Sequence, residues 1–528
     1  MPIQVRSGDP AFDALPDLAR EWLELSSLSL AMGQTVRAPR AGTAPVAALR
    51  ELYFSFGASA YYESDVRSAL DVFLRAPLPD GSLFSSFRPL EESPSSQLVF
   101  FDDHVRNIRF ERDLLDAQTE SFAVLATHRA WQASGDTTWM QGHLPVLQRA
   151  LQSVWLHPHR WSHDLELPKR AFTLDSWPIE FGAIQNPKSQ IQNALWCVHP
   201  GDAALLFAAC NALAKMCDAA KNGDGETWRE RATHLEAQTN SVGWNGNFYT
   251  HQIHLIPARV RGVDEARQLA ACNLTAMNCG LASQEQCAAI LKEYQRRREL
   301  NLETSFCEWW NVQPPFPESA FGLAPGHGAN GGIWPRLGAE LARAAFDHGY
   351  ESYGVDTLRR FHELTKNHRV FPAYFFDGSP LRDVPGEADL SLPFGASAHD
   401  AASGGALLHA LVEGVCGVRD DDCALKKITL APRWSATGTT HAEVEVSYAA
   451  NPAYVNYRWS LEGGRLTLDY ESQAKHVAFH ILLPRGNTPE RVALNGRTHA
   501  YALISIEKSK YVAFETERKR GAVAITLK

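Results

Sequence analysis

"FAVLATHRAWQASGDTTWMQGHLPVLQRALQSVW" (Phe122–Trp155) reads as two amphipathic helices folded back on each other. Phe122, Leu125, Ala126, Ala130 and Ala133 recur at the helical period, and Leu144, Leu147, Leu151, Val154 and Trp155 form a second stripe. Between them "SGDTTW" is a tight Gly-Asp turn, so the unit is a helical hairpin with a short connection. The pattern returns with Leu206, Ala209, Leu213, Met216 and Cys217, the turn "NGDGETW", then Trp228, Ala232, Leu235, Thr239 and Val242. A third copy follows "NGGIWP", where Leu337, Leu341, Ala344 and Ala345 precede "HGYESYG" and a helix carrying Leu358 and Phe361.

Working outward, helical periodicity runs from about residue 10 to 418, and the remaining connections are long. More than forty residues separate the helix ending near Trp155 from the one starting near Asp202. Long aperiodic segments inside a compact domain are usually functional. These loops share a composition: "LVFFDDHVR", "RAFTLDSWPIEFG", "SFCEWWNVQPPFP", "GHGANGGIWPR" and "VFPAYFFDGSP" each mix aromatics with carboxylates or amides. Near Arg419 the period changes to two. "HAEVEVSY" alternates cleanly, and hairpins are read around Gly463-Gly464 and Asn495-Gly496. The expected division is therefore a helical domain over 1–420 and an antiparallel β-sandwich over 421–528, the latter without a constellation of catalytic residue types.

Composition narrows the function. The 528 residues carry a net charge of −9, and the only basic run, "ERKRG", is too short for a nucleic-acid surface. Nine cysteines form an odd set without a C-x-x-C pair, which fits free thiols in a reducing compartment. No signal-peptide pattern opens the sequence and no apolar run long enough for a bilayer is read, so a cytoplasmic location without nucleic-acid or membrane partners is expected. The β-domain edges leave a homo-oligomer open. Walker, dinucleotide-binding and nucleophile-elbow patterns are missing, and the three histidines of "HPHRWSHD" match no metal template; neither a cofactor nor a metal is expected.

What remains is carboxylates set among aromatics, in a chain with 14 Trp. Glycosidic cleavage needs one carboxylic acid to protonate the leaving oxygen, and a second carboxylate to activate water or attack carbon. Aromatic walls hold the sugar and favour the protonated acid. Asp175 lies three residues from Phe172 and two from Trp177, and Glu308 is followed by Trp309 and Trp310. Asp102 could simply close a strand-like loop, and Asp116 suits a helix N-cap with Glu120 near the capping-box position. In "GANGGIWP" the glycines allow close backbone approach beside Asn330 and Trp334.

These stretches together resemble the six-hairpin glycosidases, (α/α)6-barrel enzymes with a β-sandwich often attached. The similarity is carried by "GDTTWMQGHLPVLQRAL", "KRAFTLDSW", "WNGNFY", "CEWW" and "NGGIWPRLGAELARAAFDHGY". It implies a closed double ring of helices, a carbohydrate substrate and inverting hydrolysis. Asp175 then matches the general acid, with Glu308 chosen as base. Arg50, Glu51, Asp102, Asp116, Trp177, Trp309, Trp310, His327, Asn330 and Trp334 are expected to bind substrate. Arg50-Glu51 stands where members often carry Arg-Asp, a departure that bears on hydrogen bonding to the sugar. Three alternatives stay open: a phosphorylase using "GHGANGG" with His327 as an anion nest, a carbohydrate lyase, and a non-catalytic sugar-binding protein.

Overall fold

The turn at Ser134–Trp139 follows from its own residues. Gly135 adopts φ +70°, which ends the first helix, and the Asp136 carboxylate accepts from the Trp139 N–H at 2.9 Å to start the next. A computed structural model describes residues 2–29, 35–37, 46–90, 99–175, 194–301, 307–366 and 401–528. Among them the barrel helices are α1 (Leu15–Leu25), α2 (Leu49–Tyr62), α3 (Ser68–Leu74), α4 (Thr119–Ser134), α5 (Thr137–Leu156), α6 (Pro200–Ala220), α7 (Gly225–Gly243), α8 (Cys272–Asn278), α9 (Gln284–Leu300), α10 (Pro335–Asp347), α11 (Glu351–Thr365) and α12 (Ala401–His409). The last continues as a π-helical turn, Ala410–Val415.

Each even-numbered helix packs on the next even-numbered one, and α12 returns onto α2, closing the inner ring. Outside it, α1 lies on α12, α5 on α4 and α6, α7 on α6, and α11 on α10. Burial follows position. Inner α6 is apolar nearly all round because it touches neighbours on every side, whereas outer α7 buries only Trp228, Ala232, Leu235 and Thr239 on one stripe, besides the glycines at its ends. α6 is thus long and apolar enough to cross a membrane, contrary to the expectation that no such run exists, but here it is a core helix of the barrel.

Short turns lead from inner to outer helices, and long segments lead back to the next inner helix. The N-terminal ends of the inner ring therefore share one mouth with the long segments. Those segments pair into small antiparallel sheets: Trp161–Ser162, Leu167–Ala171, Trp196–Val198 and Ile253–His254 form one, and Ala47–Ala48, Ser86–Pro89, Ile108–Arg112 and Val99–Asp103 another.

The C-terminal region is a two-sheet sandwich. Gly463, Gly464, Asn495 and Gly496 all have positive φ, as tight hairpins require. Two details differ from the sequence reading. Ile3–Arg6 pairs with His441–Ser447, and Val418–Asp420 pairs with Lys427–Leu430, so the sandwich draws strands from before residue 421. One pairing, Lys427–Leu430 with His476–Leu482, is parallel. The sandwich seals the barrel end opposite the mouth: Tyr448 stacks on Tyr61 of α2 at 5.4 Å, and the Tyr457 hydroxyl donates to the Cys416 carbonyl at 2.7 Å. Eight of the nine cysteines are buried.

Candidate active site

Strand Leu167–Ala171 carries the chain to the mouth and delivers Arg170 and Asp175. Phe172 fixes the segment by packing edge-on against His254, Phe316 and Phe321. Beyond it Asp175 takes φ +49°, an uncommon conformation for a residue other than glycine. The Asp175 N–H donates to His251 Nε2 at 2.9 Å, and its Oδ2 accepts from the Cys272 N–H at 3.0 Å. Its Oδ1 lies 3.7 Å from His199 Nε2. All four residues are buried.

His199 immediately precedes Pro200 of α6 and stands between two carboxylates. Its Nδ1 is 3.2 Å from Asp202 Oδ1, and Asp202 also accepts from Gln118 Nε2 at 2.6 Å and Arg170 Nη1 at 3.1 Å. Burial alone would lower the His199 pKa, but Asp175 and Asp202 outweigh it and raise it to about 9. His251 goes the other way: burial lowers it to about 3, leaving a neutral acceptor for the Asp175 N–H. Asp202 is held below the ordinary carboxylate range because Arg170 and His199 overcome the penalty of burial. With Nδ1 turned to an ionised Asp202, the raised pKa keeps His199 cationic near neutral pH, its Nε2 3.7 Å from Asp175 Oδ1.

The same mouth collects other expected residues. Arg50 and Glu51 begin α2, Asp116 precedes α4, and Arg336 begins α10. Burial, Arg336 and Arg170 lower the Arg50 pKa against Glu51 and Asp116, so these charges share one neighbourhood. Asp116 is not the N-cap it was expected to be, that position being Gln118; it accepts from the Gln118 N–H at 2.7 Å and the Thr119 hydroxyl at 2.6 Å, and Glu120 pairs with Arg112. Trp334 packs on the cluster containing Phe172, Phe316 and Cys272, and its indole N–H donates to the Gly328 carbonyl at 3.0 Å. Trp177 lies outside the described residues, as do Glu180 and the "VFPAYFFDGSP" segment.

Other expectations are corrected. Glu308 does not open onto the mouth: it is fully buried, paired with Arg360 at 2.7 and 2.9 Å, and accepts from the Tyr353 hydroxyl at 2.5 Å. Both partners belong to outer helix α11, so this carboxylate ties the segment before α10 to the outer ring. Trp309 stacks on Phe361 of α11 at 4.4 Å, and Trp310 is buried with its backbone bridged to Ile333. Asn330 locks its own loop through the Phe316 N–H and carbonyl and the Leu323 carbonyl. Asp102 is held by its cross-strand partner Arg109 at 2.6 and 2.9 Å. His327 is exposed, and its turn is closed by the backbone N–H groups of Gly326, His327, Asn330 and Gly332, which are therefore not aimed at an anion.

Sequence reasoning missed His199, Asp202, His251 and Cys272. The signal was "VHPGD", where a histidine precedes Pro and an acid at a helix start, but only its proximity to Asp175 gives it meaning. Asp175, His199 and Cys272 also bring ligand atoms within 4.8 Å of one another, a spacing that a metal ion could bridge. Burial together with Asp175 and Asp202 raises the Cys272 thiol well above its ordinary value, whereas a metal would need the thiolate.

Among the described residues, an inner and an outer ring of six helices each make an (α/α)6 barrel, a fold shared with solved glycosidases. The chain resembles a GH78 family rhamnosidase of Bacillus sp. GL1 (TM-score 0.60, 15% identity, covering 91% of this chain and 43% of that one). It also resembles an α-L-rhamnosidase from Dictyoglumus thermophilum (TM-score 0.61, 10% identity, 99% and 51%) and a GH63 mannosylglycerate hydrolase from Thermus thermophilus (TM-score 0.52, 14% identity, 75% and 99%). The chain spans about half the length of the rhamnosidases it matches. No protein-family model matches the sequence, and no curated relative does.

Proposed function

We propose that this protein is a glycoside hydrolase in which Asp175 protonates the leaving oxygen and His199 keeps that proton at hand. The observation that carries the reading is the buried row Asp202–His199–Asp175 at the barrel mouth, with a cationic His199 next to Asp175. General acid catalysis needs a proton that is held yet transferable. A desolvated carboxylate beside an imidazolium supplies it, with Asp202 holding the ring and Arg170 holding Asp202. This replaces the simpler expectation that aromatic neighbours alone keep Asp175 protonated. The second carboxylate is assigned to Glu51, half-buried beside Arg50 at the start of α2, because Glu308 is fully buried and engaged by Arg360 and Tyr353. A water between acid and base gives inversion.

The substrate is a carbohydrate, and aryl α-L-rhamnoside and mannosylglycerate are the first to try, given what the similar proteins are named for. The test is release of the free sugar with its anomeric configuration read by NMR before mutarotation. Hydrolysis with inversion is expected. Turnover that requires inorganic phosphate would turn the assignment to a phosphorylase.

A further inference from the structure

Proton transfer from Asp175 makes no use of the Cys272 thiol beside it. This side chain, at the start of α8, has only long contacts: its sulfur lies 3.8 Å from the Thr250 carbonyl and accepts from Asn273 Nδ2 at 3.6 Å. His199 Nε2 is buried without a hydrogen-bond partner. Gly201, in the first turn of α6, is what lets the two side chains meet. A Cβ there would stand 2.8 Å from His199 Cε1 and 3.1 Å from Cys272 Cβ.

Ligand atoms of Asp175, His199 and Cys272 all lie within 4.8 Å of one another. An ion at their centre is then within about 2.8 Å of each, and movements of roughly half an ångström bring it to the roughly 2.0–2.3 Å of zinc bonds to oxygen, nitrogen and sulfur. The surroundings are those of a metal-bound histidine. A ligating imidazole ordinarily turns its other nitrogen to a carboxylate, which fixes the ring. Here His199 Nδ1 faces Asp202 Oδ1 at 3.2 Å, and Arg170 and Gln118 hold Asp202 in turn. Asp175 is oriented too: the Cys272 N–H donates to its Oδ2 at 3.0 Å, while Oδ1 is turned to His199. A set of one carboxylate, one imidazole and one thiolate suits zinc, whereas magnesium and calcium prefer oxygen ligands throughout. Three protein ligands leave the fourth position of a tetrahedral ion to water.

We propose that Zn²⁺ binds Asp175 Oδ1, His199 Nε2 and Cys272 Sγ and, on the reading of Asp175 as general acid, switches the enzyme off. The ion displaces the Nε2 proton of the imidazolium and the Sγ proton of the thiol, since a coordinated thiol is deprotonated. Two positive charges enter and two leave, so the buried cluster keeps its net charge. Asp175 then has no proton to give, and His199 has none to pass to it.

Crystals of the full chain grown with zinc chloride should show an anomalous peak at the zinc edge, within bonding reach of all three atoms. Turnover of an unactivated glycoside should fall with micromolar zinc, return on adding EDTA, and ignore magnesium at the same concentration. Cys272→Ser should raise the zinc concentration that halves turnover by at least about tenfold, measured against the variant's own zinc-free rate. Wild-type crystals whose zinc sits only elsewhere, or equal inhibition of wild type and Cys272→Ser, overturn the proposal. The crystal readout needs neither activity nor the variant, so zinc can be placed even if no glycoside is hydrolysed. Zinc at the three atoms with undiminished turnover would overturn the inhibition and the role of Asp175 together.

Discussion

His199 Nε2 lies 3.7 Å from Asp175 Oδ1 inside a site closed to solvent, and its other nitrogen lies 3.2 Å from Asp202. An imidazole so placed is a charge reservoir, and its titration links stability to pH. The folded-state pKa of about 9 stands above the unfolded value of 6.5. A group raised in this way contributes its stabilisation fully below pH 6.5, and loses it as pH rises through about 9. The shift corresponds to about 3 kcal/mol at roughly 1.4 kcal/mol per unit. Denaturant midpoints should fall between about pH 7 and 9, and His199→Gln should flatten that fall.

Asp175→Asn retains size but cannot pass a proton. It should reduce turnover of unactivated glycosides by about 10²–10⁴-fold, the usual range for general acid catalysis. Aryl glycosides with acidic leaving groups should be spared, since they need little protonation. Equal losses on both substrate types, measured as kcat, would make Asp175 a positioning residue.

Glu51→Gln should lower kcat for aryl and alkyl glycosides alike, because activating water is needed whichever group leaves. Exogenous azide should restore part of the rate. Retained activity in this variant would move the base to another carboxylate.

Glu308→Gln should act on folding rather than chemistry. Removing the buried partner leaves Arg360 only the half-exposed Asp356, 3.2 Å from its Nε, and breaking a buried ion pair typically costs up to about 3–5 kcal/mol. Urea unfolding should show that loss, while the folded fraction keeps its kcat within about twofold, the small change left to a residue away from the reacting atoms.

The helical hairpins were legible because their information is local: a stripe, a Gly and an Asp suffice to write Gly135 and Asp136 into a turn. The double ring also follows, since apolar stripes on successive hairpins must bury one another. Asp175 could be picked out from its aromatic neighbours in sequence. Glu308 could not be told apart from it on the same grounds, because "CEWW" and "TLDSW" look alike until Arg360, fifty-two positions on, closes over one of them. His199 was invisible for the complementary reason: its partner Asp175, and the Gln118 and Arg170 that hold its other partner Asp202, come from separate segments, and composition carries no trace of their meeting.

The sheet pairing of Arg6 with Glu443, 437 positions apart, also sets a timetable. At a synthesis rate of roughly 5–20 residues per second, the strand at residues 3–6 waits about 20–90 s for its partner to exist. Through that interval the barrel hairpins can close one by one, whereas the sandwich edge stays open. The strand at residues 3–6 is therefore exposed until residues 441–447 have been made, and any chaperone that serves this chain would have to shield those four residues through that interval.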